Sequence, residues 1–299
     1  MRYAVIGTGG IGAYYGARLA AAGHDVEFLF RSDHDHVKKH GLLIESCKGD
    51  ICLPEVKAFR SSCDMKTADV ILVCTKTTSN DALPDILRPI LGPESLIIMI
   101  QNGLGMEEKL AEALPGASIA GSTAFICSSR KAPGHISHTA YGELTVAPLS
   151  AGCEDRLEAA REDMEAAGVP CHMMDSVPLM RWKKLVWNIP YNGLSVVRDL
   201  KTDALTMEPE NRALVIAMME EVIGAAAACG VVIDHSFVDS MVAMTERMYP
   251  YHPSMYLDWK AGRKMEVDTM YGAPIAAAAA HGYDMKLARE VMEDLLKMS

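Results

Sequence analysis

The sequence has no excess of basic residues. Its 299 residues include 29 lysines and arginines against 39 aspartates and glutamates, and the formal net charge is -10. Proteins that bind nucleic acid through the phosphates need a basic surface, and so do proteins that dock on anionic membranes through charge. We therefore expect no nucleic acid and no membrane among the partners. A small basic pocket for a cofactor remains compatible with this composition.

The sequence also has no apolar run of membrane-spanning length. Its longest apolar stretch covers residues 213–233 and is interrupted by Glu220 and Glu221, which predicts buried helices rather than a membrane span. Tyr3–Ile6 is already strand-like, and no charged leader with an apolar segment and a cleavage site precedes it. We therefore expect no secretory signal peptide.

Paired cysteines are missing as well. The eight cysteines are scattered without a CxxC pair, and several lie in apolar runs, which is typical of free thiols in a reducing compartment. We therefore expect a cytoplasmic protein. His34, His36 and His40 are close in sequence, but the charged residues around them indicate a solvated loop and helix start. We predict no metal site.

Strand-like and helical segments alternate through the first part of the chain. We predict strands over residues 3–7, 26–31, 69–76, 95–101, 118–125 and 170–174, and helices over residues 11–22, 81–91, 104–114 and 155–167. Residues 136–139 and 143–147 are interpreted as a terminal hairpin. The alternation predicts an α/β fold, namely a Rossmann-type doubly wound parallel sheet with helices on both faces.

Strand signals disappear beyond about residue 175. Helical periodicity then covers residues 179–194, 209–229, 236–248, 271–281 and 286–297. We therefore predict two domains, an α/β domain over residues 1–174 and an all-α C-terminal domain over residues 175–299.

A glycine-rich turn lies between the first predicted strand and the first predicted helix. It has the pattern GxGxxG and comprises Gly7, Thr8, Gly9, Gly10, Ile11 and Gly12. The first glycine permits the tight turn, the second lets the backbone approach a pyrophosphate, and the third allows close packing of helix on strand. The free N–H groups and positive dipole end of the helix favour phosphates. We predict that this turn binds a dinucleotide; the alternative is a glycine-rich turn without a ligand.

The end of the second predicted strand indicates which dinucleotide binds. NAD-specific domains place an acidic residue there to hold the ribose 2′-hydroxyl. Here Phe30 occupies that position and Arg31 follows, whereas Glu27 lies too early in the strand. An arginine suits a 2′-phosphate because it can form a charge-assisted pair. We therefore predict NADPH as the cofactor, with a solvated surface arginine as the alternative interpretation.

One predicted helix carries Lys184, Asn188 and Asn192, which are spaced by four. Residues at this spacing lie along one helical face, and polar groups within an apolar helix cost free energy unless they are satisfied. A ligand with a carbonyl or a carboxylate would satisfy them, and a solvent-facing polar stripe fits the spacing equally well. Ketone reduction needs a proton donor at the keto oxygen, a role that suits Lys184, and Glu266 is the best partner carboxylate.

These motifs together resemble the ketopantoate reductase family (2-dehydropantoate 2-reductases) over nearly the whole chain. The glycine-rich turn with Arg31 is similar to the NADPH site of that family. The other positions that are similar to family motifs are Lys76 in Val73-Cys74-Thr75-Lys76, Asn102 in Gln101-Asn102-Gly103, Pro133-Gly134 followed by His138, the Lys184–Asn188–Asn192 set, and Ser254 with Glu266.

The resemblance implies a role for each of these positions. Lys76 and Asn102 would bind the cofactor, and Lys184 would protonate the keto oxygen. Glu266 would hold the substrate hydroxyl, and Ser254 with the two asparagines would position the substrate carboxylate. The implied activity is NADPH-dependent reduction of a 2-keto acid, 2-dehydropantoate to (R)-pantoate, in pantothenate and coenzyme A biosynthesis. The implied helical domain is similar to the C-terminal domain of 6-phosphogluconate dehydrogenases.

Two alternative functions stay open on the sequence. A β-hydroxyacid dehydrogenase also carries a lysine four residues before an asparagine, and a redox-sensing regulator would bind NADPH without turnover. The chain also departs from the family near the expected substrate pocket. The departures are Thr202, His252-Pro253, Tyr256 and Trp259. For partners we expect a small-molecule 2-keto acid, and a homodimer is allowed but not required.

Overall fold

A computed structural model describes residues 1–298. The chain divides into two compact units, and each is described by itself. The first comprises Met1–Gln101 and Met106–Val177, and the second comprises Asn102–Gly105 and the chain from Pro178 onward. The predicted boundary after residue 174 lies just before this division. A single boundary could not anticipate that Asn102–Gly105 belongs with the second unit. The functions assigned to the two domains remain predictions.

The first unit is an α/β structure. Its strands are β1 (Arg2–Ile6), β2 (Asp25–Leu29), β3 (Leu42–Ser46), β4 (Ile51–Leu53), β5 (Lys57–Phe59), β6 (Ala68–Val73), β7 (Leu91–Ile100), β8 (Ser118–Ala132), β9 (His135–Pro148) and β10 (Cys171–Met173). Its helices are α1 (Gly10–Ala21), α2 (His34–His40), α3 (Leu83–Leu87), α4 (Met106–Ala113) and α5 (Glu154–Ala166).

All the strands belong to one 10-stranded sheet in the order β4-β3-β9-β8-β7-β6-β1-β2-β5, with β10 beside β9. Every neighbouring pair from β5 through β2, β1, β6 and β7 to β8 is parallel, which is the Rossmann strand order. The predicted Rossmann-type parallel sheet is therefore confirmed. The strand β9 pairs antiparallel with β8 and parallel with β3, and β4 is antiparallel to β3.

Both faces of the sheet are covered. Side chains alternate along β1, so that Tyr3 and Val5 pack in one apolar cluster with α1 and α5, whereas Ala4 and Ile6 pack in another with α3 and α4. The near-continuous apolar sequence of the central strands is the expected consequence of burial on both faces. Because of this burial, the central strands could be predicted from their apolar sequence.

The predicted terminal hairpin over residues 136–139 and 143–147 is wrong. Both segments belong to the single strand β9, which forms a hairpin with β8 through the turn at Pro133-Gly134. Tyr141 and Gly142 have positive φ values of 65° and 110°, and the register with β8 shifts beside them. This bulge bends the strand and interrupts the alternation of its apolar and polar side chains. The sequence pattern therefore resembles two short strands rather than one.

Two other parts of the first unit differ from the prediction. Residues 42–59 form β3, β4 and β5, short strands for which we predicted nothing. The predicted helix over residues 81–91 is reduced to α3, with a 3₁₀ turn before it and another after it. Pro84 and Pro89 stand at the starts of α3 and of the following turn, and proline removes the backbone donor that a continuing helix needs.

The second unit is helical, as predicted. Its helices are α6 (Val177–Val197), α7 (Thr202–Met207), α8 (Pro209–Ala228), α9 (Ser236–Glu246), α10 (Ser254–Lys260), α11 (Ala273–Ala280) and α12 (Lys286–Lys297). The short helices α7 and α10 were not predicted, because each offers less than two turns of periodicity. A π-helical turn over Asp268–Gly272 leads into α11. Residues 1–298 contain no helix that is both long and apolar enough to cross a membrane.

Candidate active site

The glycine-rich turn joins β1 to α1 at the carboxyl end of the parallel strands. Gly7 has a φ of 93°, and a Cβ there would lie 2.6 Å from the Thr75 backbone nitrogen, so only glycine fits. A Cβ on Gly12 would overlap the Gly7 carbonyl oxygen, which explains how α1 packs so closely on β1. Thr8 Oγ1 donates to the Leu29 carbonyl at 3.1 Å and ties the turn to β2.

The remaining residues of the turn complete this frame. A Cβ on Gly10 would lie 2.7 Å from the Ser128 carbonyl oxygen, and Ser128 Oγ donates to the Gly10 carbonyl at 2.9 Å. Ile11 is partly buried against the apolar cluster that contains α1. The turn is therefore anchored to β2 and β8 as well as to β1.

The structure of the turn fits a bound pyrophosphate. A Cβ on Gly9 would meet nothing within 4 Å, so the second glycine faces open space while its neighbours are packed. Gly9 is the N-cap of α1, no side chain caps the helix, and its first turn contains no acidic residue. The free N–H groups and the positive end of the helix are therefore available to an anion. These residues fit the phosphates of a dinucleotide.

Arg31 follows β2 and is exposed. The nearby Asp33 is buried, and its two carboxylate oxygens accept bonds of 2.7 Å from Arg130 Nε and Nη2. It also accepts bonds from Ser32 Oγ at 2.8 Å and from the Gly134 N–H at 3.3 Å. The Arg130 hydrogen bonds lower the pKa of the Asp33 carboxyl. Asp33 therefore holds the Arg31–Ser32 turn against the β8–β9 hairpin.

Lys76 lies just beyond β6, the strand next to β1, and is exposed. Its carbonyl accepts from the Ser79 N–H at 3.0 Å in the turn that follows. Gln101 follows directly after β7, and its Nε2 donates to the Thr75 carbonyl and to Asn80 Oδ1, each at 2.8 Å. These amide bonds fix the end of β7 against the segment that carries Lys76.

In the second unit, Lys184, Asn188 and Asn192 all lie on α6, and the helical spacing that we predicted is present. Asn188 and Asn192 are only 3% and 2% exposed. The alternative interpretation, a solvent-facing polar stripe, is therefore wrong for these two residues. Lys184 is partly buried, with Nζ 5.8 Å from the centre of the Trp187 ring. The face is therefore a largely buried polar face on an otherwise apolar helix.

The two asparagines on this face have contrasting partners. Asn188 Nδ2 donates to Asn102 Oδ1 over 3.4 Å. Asn192 Oδ1 accepts from the Met255 N–H at 3.1 Å and from Ser254 Oγ at 3.4 Å, which caps α10. These bonds involve Asn188 Nδ2 and Asn192 Oδ1, one amide atom of each residue. Buried amides are normally hydrogen-bonded, and an amide face next to a lysine suits a ligand with a carbonyl or carboxylate group.

Asn102 belongs to the four-residue segment that packs with the second unit. The Leu104 N–H donates to the Thr269 carbonyl at 3.0 Å, and a Cβ on Gly103 would lie 2.7 Å from the same oxygen. Thr269 lies in the π-helical turn, a type of irregularity that is frequent at functional sites. Glu266 comes just before this turn and is 4% exposed. Asn102, Asn188 and the turn after Glu266 are thus linked within one unit.

Family models match most of the chain. The model described as "Ketopantoate reductase PanE/ApbA" matches residues 3–151, and the one described as "Ketopantoate reductase PanE/ApbA C terminal" matches residues 176–298. The chain belongs to the ketopantoate reductase family. The predicted resemblance is confirmed, and the β-hydroxyacid dehydrogenase alternative is not the family of this chain.

Individual relatives agree with the family models. A 2-dehydropantoate 2-reductase of Nostoc sp. is 41% identical over 289 residues, covering 95% of this chain and 91% of the relative. The crystal structure of 2-dehydropantoate 2-reductase from Geobacter metallireducens GS-15 is 36% identical, has a TM-score of 0.96 and is covered over 100% of both chains. The chain is therefore a member of an oxidoreductase family.

The fold is shared more widely than the family name. A ternary structure of D-mandelate dehydrogenase with NADH and anilino(oxo)acetate has a TM-score of 0.90 at 19% identity, with 100% of this chain and 98% of that chain covered. At this identity the likeness concerns the fold alone. Within residues 1–298, no group of three or more histidine, cysteine, aspartate or glutamate side chains could hold a metal ion.

Three supporting features of the ketopantoate reductase site were missed by sequence reasoning. The first is the Asp33–Arg130 pair, which joins residues far apart in sequence and left no signal. The second is Tyr271, whose hydroxyl donates to the Ile189 carbonyl of α6. A Cβ on Gly193 would overlap that hydroxyl, so the isolated glycine within the helix pattern was an available signal. The third is Asn192 as a cap of α10.

Proposed function

We propose that this ketopantoate reductase family member reduces 2-dehydropantoate to (R)-pantoate with NADPH, a step of pantothenate and coenzyme A biosynthesis. The main support is the buried face of α6, where a partly buried lysine accompanies two buried asparagines. The relatives that carry the name 2-dehydropantoate 2-reductase support the same substrate.

The first unit would hold the phosphates of the cofactor. Gly7, Thr8, Gly9, Gly10, Ile11 and Gly12 would bind the pyrophosphate. Lys76 and Asn102 would contact the rest of the dinucleotide, as family resemblance suggests. When bound, NADPH supplies the hydride that reduces the keto carbon.

The preference for NADPH rests on the residues after β2. An exposed arginine at Arg31 can pair with a 2′-phosphate. Asp33, the nearest acid, is already held by both donors of the Arg130 fork. Its oxygens are therefore occupied and poorly suited to accept from a ribose hydroxyl, which removes the usual basis for selecting NADH.

Lys184 would act as the general acid. Negative charge grows on the keto oxygen during reduction, and the lysine ammonium would donate a proton to that oxygen as the C–O π bond breaks. The neighbouring Trp187 ring limits access of water to one side of the ammonium. Proton donation of this kind contributes about 10²–10⁴-fold in rate.

The remaining polar residues would hold the substrate. Glu266 would accept a hydrogen bond from the substrate hydroxyl, and Ser254 would donate to the carboxylate. Asn192 Nδ2 would add a second donor beside Ser254, since Asn192 Oδ1 already ties the two residues together. These groups bind and orient the substrate, so that their loss should appear mainly in KM.

Steady-state kinetics with a panel of 2-keto acids test the proposal. We expect 2-dehydropantoate to give the highest kcat/KM, with NADPH preferred over NADH. Glu266→Ala should raise KM for the keto acid more than it lowers kcat, because a hydroxyl contact exists before and during reduction. Asp268→Ala is the matched control, since Asp268 lies two residues on and is exposed.

A wild-type protein that binds NADPH but reduces no keto acid would contradict the proposed reaction and favour the regulator alternative. The proposed cytoplasmic location rests on eight cysteines that are all free thiols and would be tested by fractionation. The homodimer stays a hypothesis that light scattering would test.

A further inference from the structure

The helix α6 ends on a residue with an unfavourable backbone conformation. The Leu200 N–H donates to the Ser195 carbonyl at 3.1 Å and the Asp199 N–H to the Val196 carbonyl at 3.2 Å, which is a Schellman-type ending. The left-handed position of this ending is usually glycine, yet here it is Asp199, with a φ of 52°. Since a Cβ makes the left-handed conformation unfavourable, the contacts of the Asp199 side chain are expected to compensate for it.

The Asp199 carboxylate contacts one face of α10. Its Oδ1 accepts from the Tyr256 hydroxyl at 2.5 Å, and its Oδ2 pairs with Lys260 Nζ at 3.1 Å. Tyr256 and Lys260 are four residues apart and therefore lie on the same face of the helix. The aspartate thus holds the middle and the end of α10 against the end of α6.

The beginning of α10 is tied to α6 as well. Asn192 Oδ1 accepts from the Met255 N–H at 3.1 Å and from Ser254 Oγ at 3.4 Å. The helix has only 7 residues, and an isolated helix of this length is not stable in water. These contacts with α6 and the segment after it therefore help to fix the position of α10 and of Ser254, its first residue.

The departures from the family pattern surround the same contacts. The Thr202 N–H and Oγ1 bond to the Tyr251 backbone at 3.1 and 3.3 Å. The His252 ring stacks on the Tyr256 ring with centroids 3.7 Å apart and planes 7° apart. The Trp259 ring meets the Tyr256 ring edge-on at 5.6 Å. His252 and Trp259 therefore pack on Tyr256, and Thr202 fixes the backbone just before His252.

We infer that Asp199 is a positioning residue for the substrate: it fixes α10 through Tyr256 and Lys260 and thereby sets the place of Ser254. The inference rests on the proposed function, in which Ser254 binds the substrate carboxylate. It gives a physical reason for an aspartate at a position where glycine would relieve the backbone. It also predicts that the residue acts on keto acid binding and leaves cofactor binding unchanged.

The test compares Asp199→Gly with Asp199→Asn. The glycine variant relieves the left-handed backbone but removes both contacts. The asparagine variant tolerates this backbone and keeps an oxygen for the Tyr256 hydroxyl. We expect Asp199→Gly to raise KM for 2-dehydropantoate by about five- to tenfold, with KM for NADPH unchanged, and Asp199→Asn to stay within about twofold of wild type. Tyr256→Phe, which keeps the ring stack, should repeat part of the glycine effect.

Amide hydrogen exchange of α10 in the free protein separates this inference from the proposed function. We expect residues 254–260 to exchange faster in Asp199→Gly while the thermal midpoint changes little, because relief of backbone strain offsets the lost surface contacts. Unchanged exchange in both Asp199→Gly and Tyr256→Phe would overturn the inference, whatever the kinetics. A raised KM without faster exchange would also overturn it, since Asp199 would then act on the substrate itself. If the wild type does not reduce 2-dehydropantoate, the proposed function fails, and the exchange data still decide whether Asp199 fixes α10.

Discussion

The glycine-rich turn of the first unit and the polar face of α6 in the second unit are built on opposite principles. The turn works through the absence of side chains: Gly7 and Gly12 let the backbone pack closely, and Gly9 leaves open space in front of a helix N-terminus. The α6 face works through side chains whose partners come from distant parts of the chain, such as Asn102 and Ser254. In the proposed function, the backbone of the turn would bind phosphates, and the positioned side chains of the α6 face would carry the chemistry.

The largest effect should come from the chemical site. Lys184→Ala should lower kcat for 2-dehydropantoate by about 10²–10⁴-fold because it removes the proposed proton donor. The affinity for NADPH should change little. Steady-state kinetics with circular dichroism as a folding check would measure this. Lys183→Ala is the control, because Lys183 is the adjacent lysine and lies over Phe237 instead, with Nζ 5.3 Å from that ring. Near-normal turnover of Lys184→Ala would exclude Lys184 as the acid.

Variants of the glycine-rich turn should separate NADPH binding from the stability of the fold. Gly9→Val introduces a side chain where nothing lies within 4 Å of the new Cβ, so the fold should persist while NADPH binding is lost. Gly12→Ala places its Cβ on the Gly7 carbonyl oxygen and should lower the thermal midpoint even without ligand. Fluorescence titration and thermal denaturation of both variants measure the two effects. A folded Gly9→Val protein with normal NADPH affinity would show that the turn is not the phosphate site.

The same contrast explains how much could be predicted from the sequence. The glycine-rich turn is contiguous, and Gly7 and Gly12 each have a local structural reason, so the turn and the Rossmann sheet around it could be predicted from the sequence; its binding of phosphates stays a prediction. For the α6 face, the sequence predicted only that its polar residues are spaced by four. Whether it was buried depended on packing by Asn102, α10 and the π-helical turn, none of which periodicity reveals. The β9 strand was misread because the bulge at Tyr141-Gly142 imitates a turn.

The choice of nucleotide should have an intermediate effect. Arg31→Ala should weaken NADPH binding by about ten- to a hundredfold, which corresponds to the loss of one charge-assisted contact of about 1.5–3 kcal/mol. NADH binding should be unchanged. Isothermal titration of both nucleotides measures this, with Arg60→Ala as a control for an exposed arginine that is paired with Asp35. Equal affinities of the wild type for NADPH and NADH would contradict the role of Arg31.

The smallest effect should be a pH dependence of stability in the first unit. His138 is 1% exposed, with Nδ1 2.8 Å from Ser46 Oγ and Nε2 3.1 Å from the Ala140 carbonyl oxygen. Burial lowers the pKa of His138 below its ordinary value of 6.5, and the nearby Lys48 and Arg18 charges act in the same direction. The folded state therefore favours the neutral ring. The contribution of neutral His138 to the free energy of unfolding is complete above pH 6.5 and decreases as the pH falls below that value.

Denaturant unfolding at several pH values measures this effect. The free energy of unfolding should fall from neutral to mildly acidic pH more steeply for the wild type than for His138→Gln, which keeps a polar side chain but does not titrate. His252→Gln is the comparison in the second unit, because burial lowers the pKa of that ring too. Parallel pH profiles of wild type and His138→Gln would show that His138 does not contribute.

Transfer of a labelled hydride tests the central claim most directly. NADPH that carries deuterium at the transferable C4 position would be incubated with the wild-type protein and 2-dehydropantoate, and the product analysed by mass spectrometry. The account predicts pantoate with a single deuterium on the carbon that bore the keto group, and far less product from Lys184→Ala under the same conditions. Unlabelled pantoate, or no pantoate from a protein that binds NADPH, would contradict it.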